Sequence, residues 1–243
     1  MADQTKYIIQ VGTTQAPEHI YIKVTQDGPY HVYGAPKLSQ VIIEQNASGN
    51  SGRYAQEQKF QSKEEMYLCR CGHSQHAPFC DGSHLKQQVH LTETASFEPL
   101  LNGSTEIDGP KQILTDNEHY CAFSRFCDNG NQVWGEVTMH GESHEKLTEF
   151  MVHSCAGGRL LVFDRETMQP IENDEEAGIY AIEDPAIGCS GPLMVRGGLR
   201  VESANGKSYE IRNRQALCRC GQSSNKPFCD GSHASVKYQD GIK

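Results

Sequence analysis

Cys69, Cys71, Cys80 and His84 form the pattern C-x-C-x8-C-x3-H, and Cys218, Cys220, Cys229 and His233 repeat it without a shift in spacing. Three thiols and an imidazole make a full set of four donors for a metal. The enclosing blocks, CRCGHSQHAPFCDGSH (69–84) and CRCGQSSNKPFCDGSH (218–233), agree at 12 of 16 positions. Gly72 and Gly82 permit the turns that fold the donors inward. Pro78 fixes a φ angle just ahead of Phe79 and Cys80. Asp81–Ser83 reads as a helix start with a side-chain oxygen capping backbone N–H groups, which puts His84 in the first turn, close to Cys80. Arg70 and Arg219 alternate away from the donors if the C-x-C is extended, and are available to offset negative charge. Two metal sites fit the spacing, a structural zinc of the Cys3His type and a two-iron cluster. A C-x-C pair is slightly tight for one zinc, but spacing alone does not decide.

The elements that must hold these donors are small. The chain has 243 residues with 37% hydrophobic content, below the globular norm, and 23 glycines. That composition points to loop-rich units whose cores need support from metals or disulfides. The N-terminal MADQTKYIIQ shows no basic-then-apolar signal pattern, so a cytoplasmic location with reduced thiols is expected. No run of eighteen apolar residues exists, so no membrane span is expected, and a net charge of −9 argues against non-specific nucleic-acid binding. The repeat extends upstream: GPYHVYGAPKL (28–38) parallels GPLMVRGGLRV (191–201), both with strand-turn-strand chemistry. Tyr209, Ile211 and Leu217 read as strand residues leading into the second block. The polar stretch 44–65 of the first copy reads as an exposed loop or a loosely ordered hairpin. Each unit is too small to hold a core alone, so the two are expected to pair within the chain.

The doubled block resembles the CDGSH iron–sulfur (NEET) family, whose signature is C-x-C-x2-(S/T)-x3-P-x-C-D-G-(S/A/T)-H. Both copies match every specified position, including Ser74 and Ser223, Pro78 and Pro227. The resemblance implies a 2Fe–2S cluster held by three cysteines and one histidine in each unit, and a β-rich fold in which two units pack together. The chain is similar to the tandem-motif members, supplying both halves as a monomer with an intrachain pseudo-twofold. One imidazole leaves such a cluster a formal charge of about −1, against about −2 for four thiolates, so reduction costs less. The imidazole also competes with a proton, so His84 and His233 are expected to make the sites acid-labile. His73, Gln75, His76 and Ala77 in the first copy stand where the second has Gln222, Ser224, Asn225 and Lys226. The Lys226 charge favours a reduced cluster, so unequal potentials are expected.

Four cysteines lie between the motifs. Cys121 and Cys127 give C-x5-C; Leu147, Phe150 and Met151 follow at helical spacing, then Cys155-Ala-Gly-Gly and the strand-like RLLVFD. This order resembles the divergent single-cluster ferredoxin domain, whose third cysteine opens C-P-S-G; here Ala156 and Gly157 replace the Pro and Ser. The resemblance implies a 3Fe–4S or 4Fe–4S cluster on Cys121, Cys127 and Cys155. A fourth iron would need a further ligand, and Cys189 is the only cysteine left. Phe126 and Trp134 read as packing residues of this middle segment, and the acidic run Glu172–Gly178 as a solvated turn.

The expected architecture is α+β, with two small β-rich CDGSH units (1–108 and 191–243) forming an intrachain pseudo-dimer around a ferredoxin-like insert (109–190). The expected function is electron transfer or cluster storage and transfer toward a redox or cluster-acceptor protein. An oxidoreductase enzyme fed by the clusters and a zinc-stabilised interaction module are the alternatives. No flavin or nicotinamide motif and no nucleophile–base arrangement supports a catalyst.

Overall fold

The computed structural model describes residues 7–87 and 89–242; residues 1–6, part of the stretch read for an export signal, lie outside the described residues. The first motif unit supplies β1 (Tyr21–Val24), β2 (Tyr30–Tyr33), β3 (Lys37–Gln45), β4 (Ser51–Lys59) and β5 (Glu65–Leu68). The middle segment supplies β6 (Thr105–Asp108), β7 (Gln112–Asp116), α1 (Gln132–Glu136), α2 (Glu142–His153) and β8 (Leu160–Asp164). The second motif unit supplies β9 (Gly178–Asp184), β10 (Cys189–Arg196), β11 (Arg200–Glu202), β12 (Arg214–Leu217) and α3 (Ser232–Ser235). The class is α+β, as the sequence indicates, and among the described residues no helix is long and apolar enough to cross a membrane.

The two motif units exchange a strand. One sheet runs β11-β1-β2-β5 and another β12-β10-β9-β3-β4, so each unit's third strand lies in the other's sheet. Both exchanged pairs are parallel, with Tyr21 opposite Arg200 and Lys37 opposite Gly178. Four-residue strands cannot close a core by themselves. The exchange merges Ile22, Val24, Tyr30, Val32 and Leu68 with Leu193, Val195, Leu199, Val201 and Leu217 in one buried cluster. Each such side chain contributes about 1.5–3 kcal/mol when fully buried. The sheets cut across the sequence boundaries at 108 and 190. β6 belongs to the middle sheet β6-β7-β8, and β9 sits between β3 and β10.

Three local readings need correction. The polar stretch 44–65 takes the hairpin of the two alternatives, but an ordered one: β4 pairs with β3 along its length. Tertiary contacts hold it: Ser51 Oγ donates to the Ser124 carbonyl at 2.8 Å, the Tyr54 hydroxyl to the Ser154 carbonyl at 2.9 Å, and the Tyr54 ring packs on Phe126. An edge strand with one solvated face needs few apolar residues, which is why its composition read as a loop or a loose hairpin. Arg70 and Arg219 do point away from the thiols, but they are buried braces rather than free counter-charges. Arg70 donates to the carbonyls of Gly28, Thr25 and Leu91; Arg219 donates to those of Gly191 and Ile182 and ion-pairs with Glu183 and Asp240. Glu172, in the acidic run, is not solvated either. It pairs with the buried Arg214 of β12, whose guanidinium also donates to the Val152 and Leu160 carbonyls. That guanidinium meets the C-terminal turn of α2, the end where a cation is favoured.

The middle segment packs α2 through Thr148, Met151 and Val152 onto its sheet, with Leu114, Leu160, Val162 and Val133 beneath. Trp134 joins that core and donates its Nε1–H to Asp116 at 2.9 Å. Phe126 packs within the middle segment, edge-on to Phe150 of α2 and with Ala122 and Ala156, and also reaches Ala216 and Cys229, so it ties this segment to the second motif.

The two motifs meet backbone to backbone. Cys71 and Cys220 form an antiparallel bridge, and Gly72 (φ +82°) and Gly221 (φ +75°) lie against it. A Cβ on Gly72 would stand 2.6 Å from the Cys220 carbonyl oxygen, whereas one on Gly82 (φ +83°) would meet nothing within 4 Å. Left-handed backbone costs an alanine about 1–2 kcal/mol at either place. Gly82→Ala should therefore lose about that much in urea unfolding, and Gly72→Ala at least twice as much. Equal losses would refute the close approach as a structural constraint.

Candidate metal centres

Each motif is built on the same scaffold of main-chain bonds. Cys69 N–H donates to the Pro78 carbonyl and Cys80 N–H to that of Tyr67; Cys218 and Cys229 repeat this with Pro227 and Ala216. Ser74 and Ser223 donate their hydroxyls to the Phe79 and Phe228 carbonyls. The aspartate of CDGSH crosses the loop: Asp81 accepts from the N–H groups of Gln75 and Ser83, and Asp230 from those of Ser224 and Ser232. The expected helix start is a short 3-10 turn over Ser83–Leu85 in the first motif and the single-turn α3 in the second. Burial opposes ionisation of Asp230, but these bonds outweigh it and hold the carboxyl at about 2.

This scaffold sets the donors in pairs. Cys69 and Cys71 Sγ stand 3.6 Å apart, and Cys218 and Cys220 Sγ 3.7 Å. Cys80 Sγ lies 3.5 Å from His84 Nδ1, and Cys229 Sγ 3.4 Å from His233 Nδ1. Two sulfurs bound tetrahedrally to one metal at about 2.3 Å are about 3.8 Å apart, so each pair fits one metal atom. Among the described residues, no three His, Cys, Asp or Glu side chains converge on a point that suits a single ion. The paired donors fit a two-metal group. The hydrogen bond from Cys71 favours the Cys69 thiolate and pulls it down to about 5, while Cys71 is pushed up; Cys218 falls to about 6 in the same way against Cys220.

The copies differ in surroundings. His233 is 3% exposed and Cys229 is buried, whereas Cys80 and His84 are partly exposed. Burial, with Arg219 adding to it, pulls the His233 imidazole down to about 4. Lys226 sits at the second motif, donating to the Ser223 carbonyl and favouring the Cys218 thiolate; its place in the first is taken by Ala77, beside the exposed His76. Tyr30 reaches across from the first unit to donate to the Cys218 and Pro227 carbonyls at 2.7 and 2.9 Å. Sequence reasoning missed this clamp, since its counterpart in the second unit is Leu193 and no repeat marks it.

Cys121, Cys127 and Cys155 line one narrow cleft, which Ser124, Arg125 and Arg159 also line. Burial, reinforced by Cys155, pushes the Cys127 thiol up to about 12. Arg159 is 9% exposed, ion-pairs with Asp116 at 2.6 Å, and stays charged against burial through Cys121 and Asp116. It is a cation at this cleft that the motif pattern gave no reason to choose. Cys189 is buried at the start of β10 beside Asp184 and Glu183, and is not among the cleft's lining residues.

Residues 27–85 and 190–234 each match the family described as Iron-binding zinc finger CDGSH type. Two regions of the chain are thus similar to this family in tandem, with the cysteine cleft in the segment between them. No curated protein and no solved structure matches the chain.

Protonated imidazole cannot ligate, and burial disfavours that form. On acidification of the iron-loaded protein, the half-exposed first motif should lose its metal at a pH higher by on the order of one unit than the second. Visible absorbance of Cys80→Ser and Cys229→Ser variants, each retaining one intact motif, reads the order; release in the opposite sequence would overturn it.

Proposed function

We propose that the protein is an iron–sulfur protein with a 2Fe–2S cluster in each CDGSH motif and a third cluster, of 3Fe–4S or 4Fe–4S type, on Cys121, Cys127 and Cys155. Its role is to carry electrons or to store and deliver clusters, not to catalyse a reaction. The partner is a redox or cluster-acceptor protein. The observation that carries this reading is the twice-repeated division of four donors into a Cys–Cys pair and a Cys–His pair, each fitting one metal. The bound groups would supply one-electron redox chemistry. Cys69, Cys71 and the matching Cys218 and Cys220 hold one end of each site; Cys80 with His84, and Cys229 with His233, hold the other. The three sites are contiguous, which supports electron passage among them. The first and second motifs share the Cys71–Cys220 bridge, and the second packs Cys229 on the cysteine segment through Ala122, Phe126 and Ala156.

Anaerobically purified protein should contain about two irons and two sulfides per motif, with further iron from the middle site. Stoichiometric zinc without sulfide would overturn the reading. Cys127→Ala should remove one set of EPR signals and leave those of both motifs. His84→Cys should lower the potential of the first motif and slow its loss in acid, read by spectroelectrochemistry and stopped-flow absorbance. Lys226→Ala should lower the second potential alone, since that charge favours the more negative, reduced state.

A further inference from the structure

The two motifs share one scaffold but not one environment, and the difference lies on a single face. A Cβ added at Gly231 would meet the Cys121 carbonyl oxygen at 3.2 Å and Phe123 Cβ at 3.4 Å; at the matching Gly82 it would meet nothing within 4 Å. The 119–127 segment is thus seated on the CDGSH loop of the second motif. Asn225 ties it down by donating to the His119 carbonyl at 2.9 Å, and Tyr120 meets Phe228 edge-on at 5.3 Å. Arg212 stacks on both of those rings. With Tyr209 also edge-on to it at 5.1 Å, Phe228 is 2% exposed.

On the first motif no cysteine-bearing segment takes this place, and Phe60 alone meets Phe79 edge-on, at 6.0 Å. Phe79, the counterpart of Phe228, is only partly buried; Leu85, which follows His84, is 83% exposed, and Tyr67 is 46% exposed. Tyr67 and Phe79, with Gln61, Lys63 and Glu65, line an open groove that ends on the donor Cys80. Among the described residues, no hydrogen bond or ring contact joins 69–84 to the 121–127 segment. Exposed apolar side chains beside a metal donor mark an interaction surface.

We infer that this open groove of the first motif docks a second iron–sulfur protein, one that presents a cysteine-bearing loop flanked by an aromatic residue. The chain's own 119–127 segment is the template, because it is such a loop and occupies the equivalent face of the second motif. The first motif is then the port to the outside, and the second is an interior station between the port and the cysteine cleft. This rests on the reading of both motifs as iron–sulfur sites.

The test uses the iron-loaded full chain and an oxidised plant-type [2Fe–2S] ferredoxin as probe. Saturable binding by titration calorimetry is expected. Hydrogen exchange should slow at 64–68 and 79–87 and not at 229–236. Leu85→Glu should weaken binding about tenfold while leaving the visible and EPR spectra unchanged. Val236→Glu, at a 52% exposed position after α3, should bind as wild type does. Absence of binding, protection centred on the second motif, or indifference to Leu85→Glu overturns the docking surface. Protein that binds no iron or sulfide overturns the function itself, and that analysis is made before the titration.

Discussion

The main-chain contact between Cys71 and Cys220 constrains everything around it. A donor cysteine of one motif bridges a donor cysteine of the other, and Gly72 and Gly221 let the two backbones come that close. A side chain at either glycine would push the motifs apart. The strand exchange serves the same end from the other side. With β3 in the sheet of β9 and β11 in the sheet of β1, neither unit can withdraw without opening both sheets.

Buried arginines carry the second layer of constraint. Arg70 and Arg219 leave from between the paired cysteines of their motifs and bind carbonyls at the Gly-Pro turns, which fixes each C-x-C against its own sheet. Arg219 is ion-paired with Glu183 and Asp240, and its charge still adds to burial in lowering the His233 imidazole. Removing one partner of such a buried pair costs about 3–5 kcal/mol, because the other charge is left without compensation. Arg70 thus fixes its site through geometry, and Arg219 acts on the second site through both geometry and charge. Lys226, whose amine bonds a carbonyl at the second motif, is a second cation placed to act on the charge of that site.

The middle segment breaks the symmetry of the pair. It covers the second motif with Tyr120, Phe123 and Phe126 and leaves the first motif open. Two nearly identical donor sets thus acquire different access to water and to other proteins. Burial alone separates His233 from His84 in this respect, since the donors and their loop bonds match.

The residue types and spacing of the two sixteen-residue blocks determined the donor sets, the loop glycines and the pairing of two units. All of these follow from local chemistry repeated in the chain. The α2 helix and the strand after Cys155 were legible for the same reason, as a periodic apolar face and an apolar run. The β4 strand was legible only as one arm of a loose hairpin, because its polar residues face solvent and its fixed points, Ser124, Ser154 and Phe126, are distant in sequence. Glu172 looked solvated until β12 brought Arg214 to it. Only the tertiary structure decided which strands are exchanged and which motif lies under the 119–127 segment. These depend on contacts between residues far apart in the chain, and no spacing within either block encodes them.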